Sequence, residues 1–162
     1  MISRYTYGNC IETEAVLEKP ETGAEPMPFF AVDTKEMTLT YQMGESDRVY
    51  GLGENLRGIN KRGWIYVSKC TDDPNHMEEK RSLYAAHNFF VVDGSETFGV
   101  FVDYPGIVSF DIGYTKMEEL KIQASDWNLD VYVITGMDVK DIVKQFRKMI
   151  GRSYIPPLWA FG

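Results

Sequence analysis

The sequence is poor in cysteine, in positive charge and in long apolar runs, and each shortage removes a class of protein. Only Cys10 and Cys70 are present, sixty residues apart and without a CxxC pair. They cannot form a disulfide framework, and free thiols are expected. Lysine and arginine total 17 against 24 aspartates and glutamates, a formal net charge of -7. That balance argues against the basic face with which nucleic-acid binders neutralise phosphates. No apolar stretch approaches the roughly 20 residues needed to span a bilayer. The opening MISRYTYGNC lacks the basic segment and apolar core of a signal peptide. A soluble, cytoplasmic protein with no membrane or nucleic-acid partner is the expectation.

What is present is apolar and aromatic. At 44% hydrophobic and 14% aromatic, 162 residues are enough for one domain with its own core. From Glu36 onward the chain reads as a series of strands. MTLTYQM (37–43) sets Met37, Leu39, Tyr41 and Met43 against Thr38, Thr40 and Gln42, the period-2 pattern of a half-buried strand. GWIYVSKC (63–70), LYAAHNFFVV (83–92), TFGVFVDYP (97–105), IVSFDIGY (107–114), ELKIQAS (119–125) and DVYVITG (130–136) follow. Turn residues separate them: DGSE at 93–96, YPG at 104–106 and SDWN at 125–128. Crossover helices are missing between them, so antiparallel pairing into an all-β sandwich is the expected fold.

One helix stands apart, over 139–150. Val139, Ile142, Val143, Phe146, Met149 and Ile150 form a single stripe, while Lys140, Asp141, Lys144, Arg147 and Lys148 face away. Asp138 stands at the N-cap and Gly151 at a left-handed C-cap position. EKPETGAEPMP (18–28), with three of the seven prolines, reads as a surface connection. After the helix, Pro156 and Pro157 make a semi-rigid spacer. The apolar LWAFG beyond them starts to resemble a strand with no partner inside this chain.

Taken in order, YGLGE (50–54), CTDDP (70–74), SLYAAHNFF (82–90), FGVFVD (98–103) and PPLWAFG (156–162) resemble the amino-terminal region of glycoside hydrolase family 31, the α-glucosidases and their relatives. The resemblance runs from about residue 48 to the last residue. It implies a galactose mutarotase-like supersandwich over 1–152, helix included. It also implies that 153–162 is a linker and the start of a (β/α)8 catalytic barrel that lies outside this chain. Retaining glycosidases need two carboxyl groups about 5 to 5.5 Å apart. The resemblance assigns both to the barrel, so the 162-residue chain alone should be inactive.

The same resemblance gives Asp72 a role. In the family, an aspartate in a segment like NTDAP reaches over the barrel mouth and binds sugar hydroxyls beyond the scissile bond. Here Cys70 stands where the asparagine is usual and Asp72 matches the aspartate. Asp73 is a weaker candidate for the same contact. An aspartate near a proline is also ordinary turn chemistry. Cys70, Asp72, Asp73 and His76 match no common metal-ligand spacing, because a second Cys or His pair is missing. YGLGE offers two glycines for a turn between strands, with Glu54 bonding backbone amides at a strand end. His87, flanked by aromatics, reads as a hydrogen-bonded core residue. Trp64 is expected to be buried, while Trp127 in the SDWN turn could stack on a sugar. The resemblance implies an enzyme that hydrolyses terminal α-linked glucose from oligosaccharides without a cofactor. The alternative is a free-standing carbohydrate-binding sandwich module.

Overall fold

The computed structural model describes residues 1–161. Ten strands form two five-stranded, wholly antiparallel sheets: β1 (Ile2–Tyr7), β2 (Phe30–Asp33), β3 (Thr38–Gln42), β4 (Arg48–Gly53), β5 (Trp64–Val67), β6 (Ala86–Asp93), β7 (Thr97–Asp103), β8 (Val108–Ile112), β9 (Glu119–Ala124) and β10 (Leu129–Thr135). The first sheet has the order β1-β10-β7-β6-β4 and the second β2-β3-β9-β8-β5. The expected all-β sandwich is therefore present, followed by α1 (Val139–Ile150).

Alternation along each strand explains which faces meet. In β9 the buried Leu120, Ile122 and Ala124 point at the first sheet while Lys121 and Gln123 face outward. Phe90, Val92, Phe98, Val100 and Val102 of the first sheet close on Leu39, Tyr41, Phe110 and Ile112 of the second. The first sheet has no solvent face of its own at its centre. Val91, Phe101, Tyr132 and Ile134 on its outer side lie beneath Ile142, Phe146 and Met149 of α1. This double burial is why TFGVFVD and LDVYVIT are nearly continuous apolar runs rather than alternating ones.

The helix begins as its caps dictate, with the Asp138 carboxylate accepting the Asp141 amide at 2.8 Å. Gly151 ends it at φ 92° and ψ 175°. The φ is positive as expected, but the chain leaves extended instead of curling into a left-handed turn. Val143, placed on the apolar stripe by its spacing, lies at the stripe's margin and is 36% exposed.

Three strands escape the sequence pattern. β1 mixes arginine, serine and threonine with its tyrosines, and β2 is only four residues long. β4 contains the YGLG that reads as a turn. It is instead a strand with a bulge, because the pairing with β6 slips between Gly51 and Gly53. Gly51, Leu52 and Gly53 all have positive φ (125°, 66° and 76°), and a Cβ on Gly51 would stand 2.4 Å from the Phe89 carbonyl oxygen. The connection over residues 8–29, containing 18–28, carries the chain from β1 in one sheet to β2 in the other.

The last described segment also differs from its pattern. Leu158–Phe161 form one turn of 3-10 helix, closed by the Ala160 amide on the Pro157 carbonyl at 2.9 Å. Among the described residues no strand runs beside it to pair with, so the backbone satisfies itself locally. Tyr154, Ile155, Leu158, Trp159 and Phe161 are all exposed. The end of the notional strand, Gly162, lies outside the described residues.

Candidate functional site

Registers bring several loops to one end of the sandwich. Tyr7 pairs with Leu129, Asp130 with Asp103, Gly53 with Ala86, Val67 with Ser109 and Val108 with Ala124. The 68–85 loop, the 104–107 crossover, the SDWN turn and the start of the 8–29 connection therefore gather there. α1 runs across the outer face toward the same region. Its Phe146 lies against Phe89, Phe101 and His87, and the Met149 carbonyl accepts the Leu17 amide at 3.1 Å.

The 68–85 loop is anchored at its base and open at its tip. The Val67 amide donates to the Arg81 carbonyl at 2.8 Å and the Thr71 amide to the Leu83 carbonyl at 2.9 Å, with Leu83 buried. The two adjacent aspartates at the tip have different fates. Asp73 accepts the Asn75 amide at 2.9 Å and pairs with the Lys80 ammonium. These two donors hold its carboxyl below the usual carboxylate range, Lys80 most strongly. Asp72 is exposed, and among the described residues no donor reaches its carboxylate. Turn chemistry thus belongs to Asp73, and the free acceptor is Asp72.

The other candidates separate as well. Trp127 lies at the same end on the SDWN turn, half-buried against Tyr7 with ring centroids 4.9 Å apart. Trp64 is half-buried too, and the Arg57 guanidinium covers its ring at 3.7 Å. Glu54 behaves as a strand-end carboxylate and accepts the Ala85 amide at 3.2 Å. His87 is not a hydrogen-bonded core residue. It is exposed, with its ring edge-on to Phe146 at 5.7 Å. That apolar contact desolvates the ring and pulls its pKa down. β6 emerges at the loop end at this residue, which is why its side chain is not enclosed. Cys10 and Cys70 are both free thiols, and burial together with the Asp130 carboxylate pushes Cys10 up to about 11.

Two carboxylates that sequence patterns did not mark lie beneath this end. Asp103 and Asp130 are register partners on β7 and β10, both buried. Thr13 donates to Asp103, and Thr6 donates to Asp130 at 2.6 Å. Lys19 stands 4.0 Å from Asp130. Desolvation raises the Asp103 pKa, and the neighbouring Asp130 adds to the rise. Their strand-end position was the only available signal. The Thr13 hydroxyl on Asp103 and the Lys19 ammonium near Asp130 fasten the 8–29 connection to the sheet, while the Thr6 hydroxyl on Asp130 ties β1 to β10. Among the described residues, no group of three or more His, Cys, Asp or Glu side chains is placed to hold a metal ion.

Residues 12–111, well over half of the chain, match the family described as the glycosyl hydrolase 31 N-terminal galactose mutarotase-like domain. The chain belongs to glycoside hydrolase family 31. An alpha-glucosidase 2 of Bacillus thermoamyloliquefaciens is 33% identical to this family 31 domain over 138 residues, covering 79% of the chain and 17% of the relative. The alpha-xylosidase XylQ of Lactiplantibacillus pentosus is 30% identical over 132 residues, with 80% and 17% covered. The chain thus spans about one sixth of the length of these relatives. Among solved structures, a Flavobacterium johnsoniae family 31 dextranase complexed with glucose superposes with a TM-score of 0.70. It is 24% identical and covers 83% of this chain and 16% of its own. A cycloalternan-forming enzyme from Listeria monocytogenes, in complex with a pentasaccharide substrate, gives 0.67 at 25% identity, with 77% and 12% covered. The family 31 domain therefore has the fold of the sandwiches in these enzymes.

Proposed function

We propose that the chain is the amino-terminal platform of a retaining α-glucosidase, occupying 1–152, with 153–162 leading into a (β/α)8 catalytic barrel. The observation that carries this is the division of labour at the loop tip. Asp73 is consumed by Lys80 and the Asn75 amide, which leaves the neighbouring Asp72 carboxylate presented to solvent. The exposed Tyr154, Ile155, Leu158, Trp159 and Phe161 support the second half of the reading, because such a run of apolar side chains calls for a covering neighbour.

In this reading the two reacting carboxyl groups, about 5 to 5.5 Å apart, belong to the barrel: one attacks the anomeric carbon and the other protonates the departing oxygen. Asp72 accepts hydrogen bonds from two hydroxyls of the leaving sugar. Each such charge-assisted bond contributes roughly 1.5–3 kcal/mol. The substrate is an α-linked oligosaccharide with terminal glucose, and no cofactor takes part.

Calorimetry and a hydrolysis assay on the isolated chain test the platform role. Negligible heat with maltose and isomaltotriose, together with no release from an aryl α-glucoside, is the expected result. Turnover by the isolated chain would overturn the assignment of the acids to the barrel. Saturable glycan binding would instead make the sandwich a carbohydrate-binding module. The contacts of Trp64 with Arg57 and of Trp127 with Tyr7 speak against that outcome.

A further inference from the structure

We infer that Arg57, acting through Trp64, is a positioning residue for the 68–85 loop and hence for the Asp72 carboxylate. β5 is an edge strand, paired only with β8, and its outer edge is where the loop returns. Three contacts meet there. The Arg57 guanidinium lies over the Trp64 ring at 3.7 Å, and its Nε donates to the Glu78 carbonyl in the loop at 3.0 Å. Arg81, also in the loop, approaches the same ring at 5.9 Å. The Arg81 carbonyl takes the edge amide of Val67 at 2.8 Å.

A single indole on the sandwich thus meets the returning limb of the loop at two points, through Arg57 at Glu78 and directly at Arg81. The tip is closed separately by the ion pair of Asp73 with Lys80. With both ends of 73–81 fixed, the free carboxylate next to Asp73 has a defined place. Without the Arg57 contact, the limb around Glu78 is tied, among the described residues, at Arg81 and at the half-buried Asp73–Lys80 pair, and the tip gains freedom. Arginine suits the position because its planar guanidinium can stack and donate sideways together. Lysine keeps the charge but has neither the plane nor the Nε donor.

The kinetic half of this inference rests on the proposed role of Asp72, while the structural half rests on the geometry alone. Hydrogen exchange on the chain carrying Arg57→Lys tests the structural half. Losing the stacked cation and its hydrogen bond should speed exchange of the Val67, Thr71 and Lys80 amides by roughly tenfold. Val91, Val100 and Val133 in the central strands should exchange as before. Trp64→Phe retains an aromatic face and should lie between wild type and Arg57→Lys. Unchanged loop exchange, or an equal rise in the central strands, overturns the clamp. In the intact glycosidase, Arg57→Lys should lower kcat/KM for a disaccharide several-fold more than for an aryl glucoside. A loosened loop with equal loss on both substrates would leave the clamp standing and remove Asp72 from the leaving-group side.

Discussion

Truncation of Phe146 to alanine tests how firmly α1 belongs to the sandwich. The ring is 4% exposed. It stacks on Phe89 with centroids 3.8 Å apart and planes 2° from parallel, and it meets Phe101 at 5.3 Å. Removing a phenylalanine held in this way costs about 3–5 kcal/mol, a large share of the roughly 5–15 kcal/mol of a typical domain. For a chain of this size each kcal/mol lowers Tm by about 2–4 °C, so the variant should melt roughly 6–20 °C below wild type. Urea denaturation followed by circular dichroism measures the loss. Val143→Ala, at the exposed margin of the same helix, should stay within about 0.5 kcal/mol of wild type. A second readout comes from His87, whose ring lies edge-on to Phe146. Its pKa is lowered by desolvation, so Phe146→Ala should admit water and let it rise toward the ordinary value of about 6.5 in an NMR titration. A loss below about 1 kcal/mol, with the His87 titration unmoved, would show that the helix is only loosely attached and refute the packing argument.

Three further outcomes follow from particular residues. Asp103 has a raised folded pKa, so its contribution is full below the unfolded value of about 3.9 and is lost as pH rises through the folded value. Asp103→Asn, still able to accept from Thr13, should flatten the decline in stability over mildly acidic pH in denaturation curves, and an unchanged slope would count against this assignment. Gly51→Ala would force a Cβ to 2.4 Å from the Phe89 carbonyl at φ 125°. It should cost roughly 1–3 kcal/mol by denaturation. Asp138→Ala removes the N-cap acceptor for Asp141 and should cost about 0.5–2 kcal/mol by the same assay.

The strands legible in the sequence were those whose faces differ. β9 alternates buried Leu120 and Ile122 with exposed Lys121 and Gln123, and β8 alternates similarly. β7 and β10 were legible for the opposite reason, as apolar runs covered on both sides. β4 was hidden because its bulge requires the same glycines that a turn would use. β2 was hidden because its four residues follow closely on the proline-bearing 18–28 stretch. The fate of Leu158–Phe161 was not legible either, since an apolar run after two prolines is extended only where a partner strand exists. At the candidate site, CTDDP marked the loop but not the different duties of its two aspartates. That difference depends on Lys80, seven residues away and brought back by the fold of the loop. Likewise Arg57 and Arg81 gain their role only because both reach Trp64 across the edge of β5.

The role given to this sandwich depends most directly on Asp72. In the proposed full-length glycosidase, Asp72→Ala should lower kcat/KM on an α-linked disaccharide by roughly 10- to 150-fold, the equivalent of one lost charge-assisted hydrogen bond. Activity on an aryl α-glucoside, which offers no hydroxyls on the leaving side, should be nearly retained. Equal losses on both substrates, or no loss on either, would contradict it.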